Sequence, residues 1–95
     1  MALAAPTNLQ ANPNAYYIKI QLSWINGAYY DEVIIGRRLT GGTWGNIATV
    51  SGTATAYLDT NLVDGTSYDY RVRGHIVPPD GQYSDYSNTC YNIPF

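Results

Sequence analysis

The chain carries 95 residues, with seven Asp/Glu against five Lys/Arg for a formal charge of −2, and 45% hydrophobic residues beside 13% charged ones. Such a length holds a single domain spanning 1–95, the apolar content excludes a disordered segment, and no net positive field exists to attract nucleic acid. One cysteine, Cys90, and one histidine, His75, exclude an internal disulfide and leave too few soft ligands for a metal site, so no cofactor is expected.

The opening "MALAAPTNLQ" has neither the basic start nor the long apolar core of a secretion signal, and no run approaches the roughly 20 apolar residues needed to span a bilayer. A soluble chain without membrane insertion is expected, whether cytosolic, released by lysis as part of a virion, or cut from a larger secreted protein. A first strand is predicted over about 6–11, followed by the turn former Asn12-Pro13-Asn14. The second, about 17–24, alternates Ile18, Ile20, Leu22 and Trp24 with Lys19, Gln21 and Ser23, the pattern of a half-buried strand. After Asn26-Gly27 the third, about 31–38, holds the continuous apolar run Val33-Ile34-Ile35 and suits deeper burial. Thr40-Gly41-Gly42 separates it from the fourth, about 44–50, and Ser51-Gly52 precedes the fifth, about 55–58.

The sixth strand, about 67–76, follows Asp64-Gly65 and brings tyrosine, arginine, aspartate and the single histidine together. Those are residue types an active site would use. Period two, however, sends Tyr68, Tyr70, Val72, Gly74 and Ile76 to one face and Asp69, Arg71, Arg73 and His75 to the other, so the stretch reads as scaffold. A last strand is predicted at about 86–92, beyond Pro78-Pro79-Asp80-Gly81. No long segment has a 3.6-residue apolar period, and turn formers recur as in an all-β sandwich or barrel.

The order of these features resembles a fibronectin type III domain over essentially the whole chain. The matching pieces are "APTNLQA", "IQLSW", "VIIGRR", "TWGNIATV", "AYLDTNLVDGTSYDYRVRG" and "YSDYSN". The segment from Leu62 to Tyr68 resembles the family's tyrosine corner, in which the ring packs in the core and the hydroxyl bonds backbone a few residues upstream. The family more often has Pro where Asp64 stands. Trp24 resembles the family's core tryptophan. The resemblance implies a seven-stranded antiparallel β-sandwich of immunoglobulin-like type, with Trp24, Tyr68, Tyr70 and Val72 in its core. One sheet would hold the first, second and fifth strands, and the other the third, fourth, sixth and seventh. Loops 25–30, 51–54 and 77–83 would then gather at one end.

His75 lacks a second histidine and a legible serine–base pair, and is expected to be a solvated surface residue. Cys90 is expected to be a buried small hydrophobe. The run Asp59 to Gly65 is similar to a calcium loop in its clustered oxygens, but it departs by one residue from the required spacing and lacks the downstream acid, so turn-capping is expected of it. Arg38, Arg71, Arg73 and His75 should share an outer face, where Asp69 would absorb charge by cross-strand pairing. Tyr29, Tyr30, Tyr83 and Tyr86 fall on or beside the clustered loops and form a candidate protein-binding surface; the alternative is that these rings only cover loop ends. Tyr16 and Tyr17 would give a second apolar patch near the opposite end.

The resemblance implies a non-catalytic module that binds or spaces protein surfaces, because such domains serve in adhesion, in receptors, in phage virions and as accessories to bacterial polysaccharide-degrading enzymes. Two settings follow: a small structural or decoration subunit of a larger assembly such as a virion, or an accessory domain excised from a secreted carbohydrate-active enzyme or adhesin. A protein partner or self-assembly is expected, and a small-molecule ligand is not. Localisation stays open, the resemblance favouring an extracellular or virion-associated place. No Arg-Gly-Asp tripeptide supports integrin binding.

Overall fold

Residues 3–13 and 18–94 are described by a computed structural model. Alternating apolar side chains, with turn formers between them, give eight strand segments: β1 (Thr7–Pro13), β2 (Ile20–Ile25), β3 (Glu32–Leu39), β4 (Gly45–Ser51), β5 (Ala56–Asp59), β6 (Tyr68–Ile76), β7 (Gln82–Tyr83) and β8 (Cys90–Asn92). They form two antiparallel sheets. One has the order β1-β2-β5; the other runs β4-β3-β6, with both β7 and β8 on the free edge of β6.

The two inner faces meet over Leu9, Ile20, Leu22, Trp24, Val33, Ile35, Tyr68, Tyr70 and Val72, all buried. Ile18, expected to begin the inward row of β2, precedes the first paired residue and is 40% exposed. Tyr16 and Tyr17 lie outside the described residues. The Trp24 indole N–H donates to Asn26 Oδ1 at 2.9 Å, and the Asn26 amide reaches the Gly52 and Ala54 carbonyls, so the core ring is tied to the loop end. At the other end the Val63 N–H donates to the Tyr68 hydroxyl at 2.9 Å. Gly65 turns the chain there with a φ of 76°, a left-handed conformation in which a side chain is strained.

Of the strand predicted at 86–92 only Cys90–Asn92 pairs, as β8, while β7 is an added pair of residues within the expected loop 77–83. Between β7 and β8 the chain keeps to the edge of β6 by a different device: the Ser84 and Ser87 N–H groups donate to the Gly74 and Val72 carbonyls, while their hydroxyls accept the N–H groups of the same two residues. Three residues of this segment therefore span two of β6, which removes it from a regular ladder. Asn88 then exchanges two hydrogen bonds with the Leu9 backbone, closing the segment onto β1 of the opposite sheet.

Polar groups also enter the interior. Arg37 faces inward from β3, and its Nη1 donates to both carboxylate oxygens of Asp59 at 3.0 Å; the Tyr70 hydroxyl donates to Asp59 Oδ2 at 2.7 Å. Asp59 is 3% exposed, so it clamps the two sheets and does not cap a turn, as had been expected of it. Burial, followed by the bond to Asp59, pushes the Tyr70 phenol far above its ordinary range.

Candidate functional site

Directly paired residues of an antiparallel ladder project to the same face. The register therefore places Glu32 with His75, Ile34 with Arg73, Gly36 with Arg71 and Arg38 with Asp69 on the outer face of the second sheet. Tyr83 and Tyr86 each precede one of the two serines bonded to β6, and their rings reach over the arginines of the outward row. Arg71 lies over the rings of both Trp44, at 4.3 Å, and Tyr86, at 3.7 Å. Arg73 lies over Tyr86 at 4.7 Å and Tyr83 at 4.2 Å. Arg38 covers Trp44 at 4.6 Å, and His75 stacks on Tyr83 with ring centroids 4.1 Å apart. The result is a ladder of alternating cations and aromatic faces along the sheet.

Its members are already engaged. Arg38 Nε donates to Asp69 Oδ2 at 2.8 Å, and Thr40 donates to Oδ1, which leaves Asp69 buried although it belongs to the outward row. His75 Nδ1 stands 2.6 Å from Glu32 Oε1. The Nε atoms of Arg71 and Arg73 are covered and have no hydrogen-bond partner among the described residues, so the ring quadrupoles face the charge in place of water. His75 is held by a carboxylate and a ring, and is less open than the solvated residue that was expected. Cys90 is half-buried against the core, where loss of solvent, then the nearby Asp69, pushes its thiol up from the usual 9 to about 11. A thiol held protonated is a poor nucleophile.

The tyrosines expected on one binding surface separate into three environments. Tyr30 is 1% exposed and belongs to the core: its ring lies where a Cβ on Gly74 would be, and its hydroxyl donates to the Ala4 carbonyl and accepts from the Gly27 N–H. Its assignment to a surface is therefore corrected, since the β2–β3 loop turns this ring inward over the bare backbone of β6. Tyr83 and Tyr86 serve the ladder. Tyr29 is the most exposed of the four, 74% against 51% for Tyr83, and its ring has no cation over it among the described residues.

Tyr29 forms one wall of an open cleft of about 660 Å³, lined also by Asp31, Ile76, Val77, Pro78, Pro79, Asp80 and Gln82. Asp31 organises it. One carboxylate oxygen accepts from the Tyr29 hydroxyl at 3.1 Å and the other from the Val77 N–H at 2.9 Å, which ties the β2–β3 loop to the β6–β7 loop. The same carboxylate, by hydrogen bond and then by charge, raises the pKa of the Tyr29 phenol. The Asp31 backbone is itself fixed, its N–H donating to the His75 carbonyl and its carbonyl accepting from the Gly52 N–H. Nothing in the sequence marked Asp31 for this role, because its effect depends on which loops the fold brings together. A second recess, about 390 Å³, opens beside the β3–β4 hairpin, but the arginines lining it, Arg37 and Arg38, are occupied by Asp59 and Asp69. Among the described residues no three His, Cys, Asp or Glu side chains converge as a metal site requires.

No family model matches the chain. It is 36% identical over 75 residues, 74% of its length, to an amylopullulanase of Thermoanaerobacterium thermosulfurigenes, and spans only 4% of that protein. Among solved structures, a Fn3-like protein from Clostridium thermocellum superposes with a TM-score of 0.84 at 27% identity, covering 100% of this chain and 96% of that one. A β-1,2-glucanase from Parabacteroides distasonis superposes with a TM-score of 0.82 at 25% identity, over 99% of this chain and 13% of the glucanase.

Proposed function

The chain is a fibronectin type III-like domain, and from that premise we propose that it is a non-catalytic accessory module of a larger polysaccharide-degrading enzyme. The observation that carries the reading is the likeness to a small part of two glucan-acting proteins: 4% of an amylopullulanase by sequence and 13% of a β-1,2-glucanase by structure. In this reading the catalytic machinery of such proteins lies outside segments that small. The side chains of this domain agree with such a role, since His75 is covered by Glu32 and Tyr83 and the Cys90 thiol is held protonated. Of the two settings that the sequence left open, these relatives favour the enzyme accessory; the virion setting gains no support from them. In this reading the protein partner of the domain is the rest of its own enzyme.

Two measurements test the proposal. Sequencing the gene on both sides of this segment should reveal a glycoside hydrolase domain in the same reading frame. Reducing-end release from amylose, pullulan and β-1,2-glucan by the purified chain should equal the blank. Turnover lost on His75→Ala would overturn the non-catalytic assignment, and a gene holding no hydrolase would overturn the accessory role.

A further inference from the structure

We infer that the loop-end cleft is a binding subsite for a neutral glucan chain, with Tyr29 as its stacking platform and Asp31 and Asp80 as acceptors for sugar hydroxyls. The inference rests on the accessory-module reading for the class of sugar. The shape and chemistry come from the cleft itself. Its volume, about 660 Å³, lies within the range of ligand pockets. The lining divides into an apolar part, Tyr29, Val77, Pro78 and Pro79, and a polar part, Asp31, Asp80 and Gln82.

No lysine, arginine or histidine lines this cleft. Two carboxylates without a cation repel phosphate, sulfate and uronate groups and suit a ligand that brings hydrogen-bond donors and no negative charge. A glucose unit has that chemistry: a face of C–H bonds that covers an aromatic ring, and a rim of hydroxyl donors. Each Asp31 oxygen already accepts one hydrogen bond and retains a second lone pair, and Asp80 carries a carboxylate with no partner among the described residues. The platform is also held in advance. Because Asp31 grips the Tyr29 hydroxyl and the Val77 N–H together, the two walls keep their spacing before a ligand arrives, which lowers the ordering cost of binding. A glucan subsite departs from the expectation, drawn from sequence alone, that no small molecule binds.

The test is a titration of the purified chain with maltoheptaose, followed by backbone amide NMR, with hexalysine titrated in parallel. Saturable shifts at Tyr29, Val77 and Gln82 in the millimolar range or tighter are expected, weakened about tenfold or more in Tyr29→Ala and by a smaller factor in Tyr29→Phe, which keeps the ring and loses its tether to Asp31. The unshifted remainder of each spectrum reports that the variants are folded. Absence of saturation, shifts that survive Tyr29→Ala, or saturation by hexalysine in place of the sugar would each overturn the inference. A hydrolase in the flanking gene together with no maltoheptaose binding would sink this subsite and leave the accessory role standing. Binding without such a gene would do the reverse.

Discussion

The outer face of the second sheet and the loop end are both rich in aromatic and charged side chains, yet they use them in opposite ways. On the sheet, the guanidiniums of Arg38, Arg71 and Arg73 lie against rings, and a cation lies over Tyr83 and over Tyr86, although Tyr83 stays 51% exposed. At the loop end a single ring, Tyr29, is oriented by Asp31 and left 74% exposed. The sheet satisfies its chemistry internally and the loop end offers it outward. Composition does not distinguish a binding surface from a structural one; the distinction is whether the groups have already found each other.

Both regions depend on the seam between β3 and β6, and the largest expected effect lies there. Gly74 sits under the Tyr30 ring, and any side chain at that position would fall on it. Gly74→Val should cost more than about 4 kcal/mol or prevent folding, because the ring is enclosed and cannot yield. Chemical denaturation decides it: a variant within about 1 kcal/mol of the parent would mean that Tyr30 can leave the core at little cost.

Next in size is the clamp between the sheets. Asp59→Ala leaves Arg37 and the Tyr70 hydroxyl facing a buried void and should cost about 3 kcal/mol. Replacing Arg37 and Asp59 together should cost less than the sum of the single changes, since the double variant leaves no buried charge behind. Additive losses would show that the two residues do not act as a pair. Tyr68→Phe removes the acceptor of the Val63 N–H and should lower stability by about 1–2 kcal/mol, visible as a shift of the denaturation midpoint at constant slope.

Much of this architecture was legible from residue order. The alternation in Ile20, Leu22 and Trp24 and in Tyr68, Tyr70 and Val72 follows directly from a half-buried strand, and these side chains are buried as the pattern requires. The sheet memberships read from the resemblance agree with the observed order. What sequence could not reveal depends on contacts between distant residues. Asp59 reads as a turn residue until Arg37, 22 positions earlier, is seen to face it across the sandwich. Tyr30 reads as a loop aromatic until the absence of a Cβ at Gly74 is set beside it. The edge segment reads as a strand because its serines replace ladder bonds with hydroxyl bonds, a substitution that leaves the apolar pattern unchanged.

The smallest expected effects test the contrast between the two aromatic regions. Tyr86→Ala uncovers Arg71 and Arg73 at once and should cost about 1–2 kcal/mol, as two partly desolvated cation–ring pairs are lost. Tyr29→Ala removes a ring with one exposed hydrogen bond and should change stability by less than about 0.5 kcal/mol. Measured side by side in urea, the two variants should therefore separate, with Tyr86→Ala shifted to lower denaturant and Tyr29→Ala overlying the parent. Equal losses would place Tyr29 in the fabric of the fold and leave the cleft without a ring to spare for a ligand. Equal indifference would mean that the ladder is as solvated as the loop end, and that its stacked geometry contributes little to holding the sheet.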